Sequence, residues 1–305
     1  MRRPRSRNGG DRRIGVVIAT LGRAAEAGQV LERLRRQSSP PARIVFSVEK
    51  PDDLPAGVAG EQDPDIDVVL GPRGLCAQRN RGVARVLADC DVVVFYDDDF
   101  LPSRRSLEGI AALFAANCDV VGATGLVLAD GVTRGGVAFA QGEAIVEAYD
   151  EAPPEPPRIL ADVRSAYGCN MAFRCRAVAG LSFDERLPLY GWQEDVDFAG
   201  QIVRRGRVVT TNAFAGVHLG VVKSRQPGAR LGFSQMVNPV YLVRKGTMRP
   251  MHAARIMGGN LIANHLKAFA PEPYIDRRGR LAGNWAGLLH LAIGRAEPEG
   301  IFSLS

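Results

Sequence analysis

Asp91-Val92-Val93-Val94-Phe95-Tyr96-Asp97-Asp98-Asp99-Phe100 is the stretch whose reading decides the fold. Val92 to Tyr96 form an unbroken β-branched and aromatic run, the pattern of a strand buried on both faces in a parallel sheet. Three carboxylates follow at once, and Leu101-Pro102-Ser103 then stops the strand and leads into a helix. Adjacent acids repel, and they are costly unless a cation or a strong set of donors neutralises them. Open α/β sheets bind ligands at the carboxyl ends of their strands. The stretch therefore points to an oxygen-rich divalent-metal site suited to Mg²⁺ or Mn²⁺. The plain alternative is a solvated acidic turn that caps the next helix.

Working outward, the chain before this stretch alternates strand and helix. Ile14 to Ala19 reads as a buried strand ending in Thr20-Leu21-Gly22-Arg23, with a helix from Ala24 to Gln37. Arg43 to Val48 is the next strand, with Glu49 and Lys50 at its carboxyl end; Ile66 to Leu70 is another. Gly71-Pro72-Arg73-Gly74 turns the chain into a helix from Leu75 to Ala88. Such alternation implies a parallel sheet with right-handed crossovers. Each strand then delivers polar groups to one edge of the sheet: Thr20 and Arg23, Glu49, Arg73, and the three aspartates. Arg79, Asn80 and Arg81 lie on the third crossover, either facing phosphates or forming a solvated helix face.

Downstream, Ser106 to Ala116 reads as a helix and Val120 to Leu128 as a strand. Residues 129 to 157 are expected to be irregular, because Pro153, Pro154, Pro156 and Pro157 oppose regular structure. A loop of that length is a lid, a partner surface or a disordered segment. Tyr167 to Arg174 resumes an extended path. A second acidic cluster, Glu194-Asp195-Val196-Asp197, opens a helix. The helix dipole alone favours acids there, but it does not account for Tyr190 and Trp192 just before them. Flat amphipathic rings suit the face of a sugar. Arg207 to Thr211 is a last short strand, and His218 follows it. His218 is a candidate to complete a metal shell, against the structural role that a lone histidine more often has.

Composition bounds the rest. A chain of 305 residues with 46% apolar and 24% charged side chains is an ordinary globular protein able to bury a large core. The net charge of +6 favours polyanionic partners such as nucleotides or anionic lipid. Five scattered cysteines without a C-x-x-C pair argue against a zinc site and a disulfide framework, and for a reducing compartment. No signal-peptide core and no apolar run of spanning length is present. The expected location is cytoplasmic, with peripheral contact on the inner face of the membrane. Residues 1–13 read as a disordered basic tail. Lys223, Arg225 and Arg230 lie in a loop with the composition of a mobile basic flap. Helices at 234–245, 252–268 and 284–293 present apolar faces that either complete the core or lie on a membrane.

Together these motifs resemble the GT-A glycosyltransferases, and within them the inverting family 2 enzymes, over residues 14 to 220. Thr20 with Arg23 resembles the family's first nucleotide-binding turn. Glu49 stands where the family usually has an aspartate near the base and ribose. Gly74-x-x-x-Gln78-Arg79-Asn80-x-Gly82 resembles G-x-x-x-A-R-N-x-G, with Gln78 in place of alanine. Asp97-Asp98-Asp99 resembles D-x-D, Gln193-Glu194-Asp195 resembles the acceptor-side E-D motif, and His218 falls where many members place a histidine metal ligand. The resemblance implies a GT-A fold: a Rossmann-like, mostly parallel sheet in a catalytic domain over 14–225. Its nucleotide half would span 14–100, its acceptor half 101–225, and a helical extension 226–305. It implies a nucleoside diphosphate sugar, expected to be a UDP-sugar, as donor, with a glycan or lipid-linked acceptor in polysaccharide assembly and no nucleic acid. Asp97 and Asp98 would contact the donor, and Asp99, Asp97 and His218 the Mn²⁺ or Mg²⁺. Asp195 would be the base, Glu194 and Trp192 with Tyr190 would position the acceptor, and Arg79, Lys223 or Arg225 would hold phosphate oxygens.

Three other classes share part of this pattern. A nicotinamide dehydrogenase needs G-x-G-x-x-G after its first strand, and Ala19-Thr20-Leu21-Gly22-Arg23 lacks it. A Mg²⁺-dependent phosphohydrolase uses Asp97 and Asp99 but leaves Glu194-Asp195 without a purpose. A nucleotide-sugar or polyanion-binding module without turnover keeps the first site and ignores the second.

Overall fold

The computed structural model describes residues 12–58, 65–132, 134–221 and 227–304. The first half builds as its alternation predicts. β1 (Ile14–Ala19), β2 (Arg43–Val48), β3 (Ile66–Leu70) and β4 (Val92–Asp97) pair in parallel in the order β3-β2-β1-β4. Helices α1 (Ala24–Arg35) and α2 (Leu75–Val86) are the crossovers. Sheet order reverses across β1, with β2 on one side and β4 on the other, so a crevice opens where Ala19 pairs with Asp97. α2 lies close over β1 because Gly82 faces Val17; any Cβ there would collide with that valine.

After β4 the chain departs from the expected strand-to-helix turn. Asp98 and Asp99 form a tight turn, and Phe100–Pro102 returns as a short strand, β5. α3 (Ser106–Ala116) and β6 (Val120–Asp130) follow. β5 pairs with β9 (Arg207–His218), which puts Phe100 opposite His218. β9 is thus far longer than the five residues expected from its β-branched run. The extra length carries register shifts against β6 and delivers His218 beside the aspartates. β8 (Asn170–Arg174) runs antiparallel between β4 and β6, and β7 (Ile159–Val163) pairs with β9, so the sheet is mixed.

Residues 129–157 are not irregular throughout. α4 (Phe139–Glu151) forms there and stops at Ala152, one residue before Pro153. The prolines end this helix rather than prevent it, since a proline disfavours helix only at and before its own position. α4 is anchored by buried Asp150, which accepts from Ser103 Oγ at 2.5 Å and pairs with Arg33 at 3.1 Å.

The remaining elements are α5 (Cys175–Val178), α6 (Glu194–Ile202), α7 (Gly228–Lys245), α8 (Pro250–Lys267) and α9 (Arg277–Ala292). All three terminal helices are longer than their periodicity indicated. One core cluster lies on each side of the sheet, and the second includes Phe95, Phe173, Phe183 and Phe198 together with Leu242, Met248 and Ala253. α7 and α8 therefore share a core with the sheet. Phe183 stacks on Phe198 at 4.0 Å between centroids, and Phe95 meets Phe183 edge-on at 5.2 Å. Residues 1–11 of the expected basic tail 1–13, and Lys223 and Arg225 of the expected flap, fall outside the described residues.

Candidate active site

A cleft of about 1370 Å³ runs along the carboxyl ends of β1 and β4. Thr20, Arg23, Asp97, Asp98, Asp99, Tyr190, Trp192 and His218 all line it, so residues up to 198 positions apart in sequence converge there. Arg230, expected on the flap, lies at its rim with Tyr274 and Arg280 from the terminal segment. Glu49 does not join them; it is exposed at the end of β2. Arg79, Glu194 and Asp195 do not line the cleft, and Arg79 and Glu194 are buried behind it.

The acids are arranged by charge. Arg23 Nη1 lies 3.0 Å from Asp98 Oδ1 and 3.3 Å from Asp99 Oδ2, and its Nη2 donates to the Val221 carbonyl at 3.2 Å. The backbone N–H of Val221 donates to Asp99 Oδ2 at 2.8 Å. Burial works to raise the pKa of Asp99, but His218, Arg23 and the Val221 N–H overcome it and hold the group below its usual range. Asp98 shows the opposite balance: burial outweighs Arg23 and pushes it up to about 7. Of Asp98 and Asp99, Asp99 is thus the one held as an anion, and its Oδ1 faces the imidazole.

His218 is the hub. Its Nε2 is 3.3 Å from Asp99 Oδ1 and 3.9 Å from Asp97 Oδ2, while Nδ1 is 3.2 Å from Asp130 Oδ1. Tyr167 stands edge-on to the imidazole at 5.9 Å and donates its hydroxyl to Asp130 Oδ2 at 2.7 Å. Burial lowers the His218 pKa, but Cys169, Asp130 and Asp99 around it raise it well above the ordinary value. One ligand atom each from Asp97, Asp99 and His218 lies within 4.8 Å of the others. Two hard carboxylate oxygens and an imidazole whose second nitrogen is fixed by a carboxylate are a donor set that fits Mn²⁺ or Mg²⁺. Asp130, Tyr167 and Cys169 were missed in the sequence. No spacing signals them, because they reach His218 from β6 and from the turn before β8.

Behind the cleft, Arg79 joins the two acidic clusters. Its Nη2 pairs with Asp97 Oδ1 at 2.9 Å and donates to the Gly168 carbonyl at 3.0 Å, while Nη1 pairs with Glu194 Oε1. The guanidinium lies over the Phe183 and Phe95 rings at 5.5 and 5.8 Å. Where the sequence gives Arg79 to phosphate oxygens, the structure gives it these partners. Burial and the adjacent Asp195 push Glu194 up to about 8, against the pull of Arg79. Burial also raises Asp195, although the N–H groups of Gly168 and Val196 donate to its two oxygens at 2.9 and 2.8 Å. Asp197, the third acid of the cluster, points away into the core. It is fully buried and bonds Lys245 Nζ at 2.7 Å and Thr247 Oγ1 at 2.6 Å.

Gln78, which departs from the alanine of the resembled motif, is structural here. Its amide donates to the carbonyls of Thr20 at 2.9 Å and Ser47 at 2.8 Å, closing the ends of β1 and β2. The loop before α6 is strained: Leu189 and Gln193 hold φ of 62° and 74° without being glycine. Asn238 on α7 steadies it by donating to the Trp192 carbonyl at 2.8 Å. The Tyr190 hydroxyl in this loop is buried and finds no hydrogen-bond partner among the described residues.

An oxygen-rich, imidazole-completed pocket at the switch point of a mixed α/β sheet, with a second acidic helix start beside it, defines a class. The chain belongs to glycosyl transferase family 2, whose sequence pattern matches residues 15–179, over half its length. It is a glycosyltransferase with the GT-A fold. The mannosyltransferase PcManGT from Pyrobaculum calidifontis, solved with GDP-Man and Mn²⁺, is 17% identical with a TM-score of 0.53; the match covers 95% of this chain and 85% of that one. S. aureus TarS 1–349 is 11% identical with a TM-score of 0.52, over 96% of this chain and 83% of that one. The same protein with UDP-GlcNAc gives 12% and 0.51, over the same shares of the two chains. No curated protein matches this sequence. Among the described residues no helix is long and apolar enough to cross a membrane.

Proposed function

We propose that this glycosyltransferase moves a sugar, with inversion, from a nucleoside diphosphate sugar, a UDP-sugar in the first instance. The acceptor is a glycan or lipid-linked hydroxyl in polysaccharide assembly at the inner face of a membrane. The observation that carries the reading is the meeting of Asp97, Asp99 and His218 on one cleft, tied by Arg79 to the start of α6. In this reading residues 14–225 are the catalytic domain and 226–305 an extension that completes the acceptor side.

Asp97, Asp99 and His218 would hold Mn²⁺ or Mg²⁺, which when bound neutralises the diphosphate so that it can leave. Thr20 and Arg23 flank the nucleotide end of the cleft. Trp192 stacks the acceptor ring and the unpartnered Tyr190 hydroxyl offers it a hydrogen bond. Asp195 takes the proton from the acceptor hydroxyl as that oxygen bonds to the anomeric carbon. The bond from that carbon to phosphate breaks in the same step, and its electron pair leaves with the diphosphate. Two backbone N–H groups orient the Asp195 carboxylate, and burial raises its proton affinity; both suit a base. Glu194, fixed on Arg79, holds the start of α6 in register with Asp97.

Calorimetric titration of UDP and GDP with Mn²⁺, and then with EDTA, tests the donor site in wild type and Asp99→Asn. Metal-dependent binding of one nucleotide, lost in the variant, is expected. Binding of neither by a folded protein overturns the reading and moves a phosphohydrolase or binding-module function ahead.

A further inference from the structure

α8 is a helix of eighteen residues that buries only Ala253 and Asn264. Such a helix takes little stability from the core beneath it. Its outward side carries Ile262 and Leu266 at i and i+4, with Phe269 just past its end, and α9 carries Trp285 and Leu289 at i and i+4, with Ile293 as its C-cap. All six are more than half exposed, and Phe269 is 90% exposed. The two stripes join where His265 meets Trp285 edge-on at 5.6 Å. Single exposed apolar residues need no account, but a continuous stripe on two neighbouring helices does.

The hairpin is held rigid from within. Asn264 and Asn284, both fully buried, bond each other at 2.9 Å and both bond Gln235 of α7. The stripe is therefore a fixed surface and not a frayed end. The residues outside the described set include only Met1 and Val222 as large apolar groups, too few to cover it. Charge identifies the occupant. Residues 246–295 hold seven arginines and lysines against two acids, and Arg249, Arg255, Lys267, Arg278 and Arg295 of this segment are exposed.

We propose that the α8–α9 face docks this protein on an anionic lipid bilayer, lying in the headgroup region with its apolar stripe inward. This deepens the functional reading above and rests on it for one point. The same segment supplies Asn260, Tyr274 and Arg280 to the cleft. Docking by its other side sets the acceptor end of the cleft beside the bilayer, where a lipid-linked acceptor presents its glycan. Apolar insertion and attraction to anionic headgroups act together in such contacts.

The experiment is flotation of the full chain with vesicles of phosphatidylglycerol and phosphatidylcholine in equal parts, and with phosphatidylcholine alone. The protein is expected to float with the anionic vesicles at low salt and to be released by high salt. Leu266→Glu with Phe269→Glu is expected to cut vesicle association roughly tenfold or more. Both side chains are exposed, and unchanged binding of UDP with Mn²⁺ in solution shows the variant to be folded. Absence of flotation overturns the proposal. So does flotation unaltered by the double substitution, which would move the contact to the basic residues 1–13. A self-association in ultracentrifugation that the double variant abolishes, without vesicle binding, overturns it in favour of a second copy of the chain. Loss of nucleotide binding in wild type sinks the donor reading instead and leaves the flotation result standing.

Discussion

Asp130→Asn tests the reasoning about His218 most directly, because among Asp97, Asp99 and His218, the proposed ligands, Asp130 is seen to face only that ring. Asparagine keeps the shape and removes the charge. Asp130 Oδ1 faces His218 Nδ1 at 3.2 Å and also accepts from the Val132 N–H at 3.0 Å, while Oδ2 accepts from Tyr167 at 2.7 Å. Burial works against its ionisation, yet His218 and these donors hold its pKa at about 2, so the native partner of Nδ1 is an anion across the working range. A neutral amide there makes Nε2 a poorer donor and loosens the ring. Losing such an outer partner lowers metal affinity about 10- to 100-fold, or about 1.4 to 2.7 kcal/mol. Mn²⁺ titration in the presence of UDP should rank Tyr167→Phe mildest, at about 1 kcal/mol for one hydrogen bond. Asp130→Asn should come next and Asp99→Asn be most severe. An unchanged affinity in Asp130→Asn refutes His218 as a ligand. A loss equal to that of Asp99→Asn refutes the indirect role and makes Asp130 a ligand itself.

Three further outcomes are expected. Asp195→Asn should lower kcat by about 10²- to 10⁴-fold with nucleotide binding kept, since among the described residues its carboxylate bonds only the Gly168 and Val196 N–H groups; a single-turnover assay reads this, and equal loss of nucleotide affinity would contradict it. Gly109→Ala in α3 sets propensity against packing: alanine gains about 1 kcal/mol in a helix, but its Cβ would collide with the Ala213 carbonyl. Overpacking of about 1 to 3 kcal/mol should win and lower the urea midpoint, and a raised midpoint would show that β9 yields. Asp184 bonds Lys245 and Tyr241, each at 2.7 Å, and these donors outweigh burial and depress its pKa. Its stabilisation is full above the unfolded value near pH 4 and is lost as pH falls through the lower folded value. Asp184→Asn should therefore cost about 1 to 3 kcal/mol at neutral pH and progressively less in urea melts taken toward about pH 3; a pH-independent difference would contradict the linkage.

Much of the site was legible because each element announces its own end. Buried β-branched runs mark β1, β2 and β4, and Thr20, Arg23 and Asp97 to Asp99 follow from where those runs stop. The aromatic lead-in before Glu194 marked the cleft-lining Tyr190 and Trp192. α4 was obscured because prolines that end a helix read, in a composition window, like residues that forbid one. β9 was cut short because Asn212, Ala213 and Gly216 break its β-branched pattern, although pairing with β5 and β6 carries it on to His218. Glu49 was placed by its position after a strand, and that position is exposed.

Periodicity and turn chemistry, which need only neighbours a few residues apart, determined the alternating sheet, the switch-point crevice and both acidic clusters. Tertiary structure alone decided what each charge does. Arg79 meets Glu194 across 115 residues and Val221 meets Asp99 across 122. Burial raises Asp98 while three donors hold Asp99 down, and of three acids in one helical turn it turns Asp197 into the core. Local sequence records which face of an element is apolar. It does not record which distant group stands opposite a charge once water is removed, and that pairing sets the charge's energy and its use.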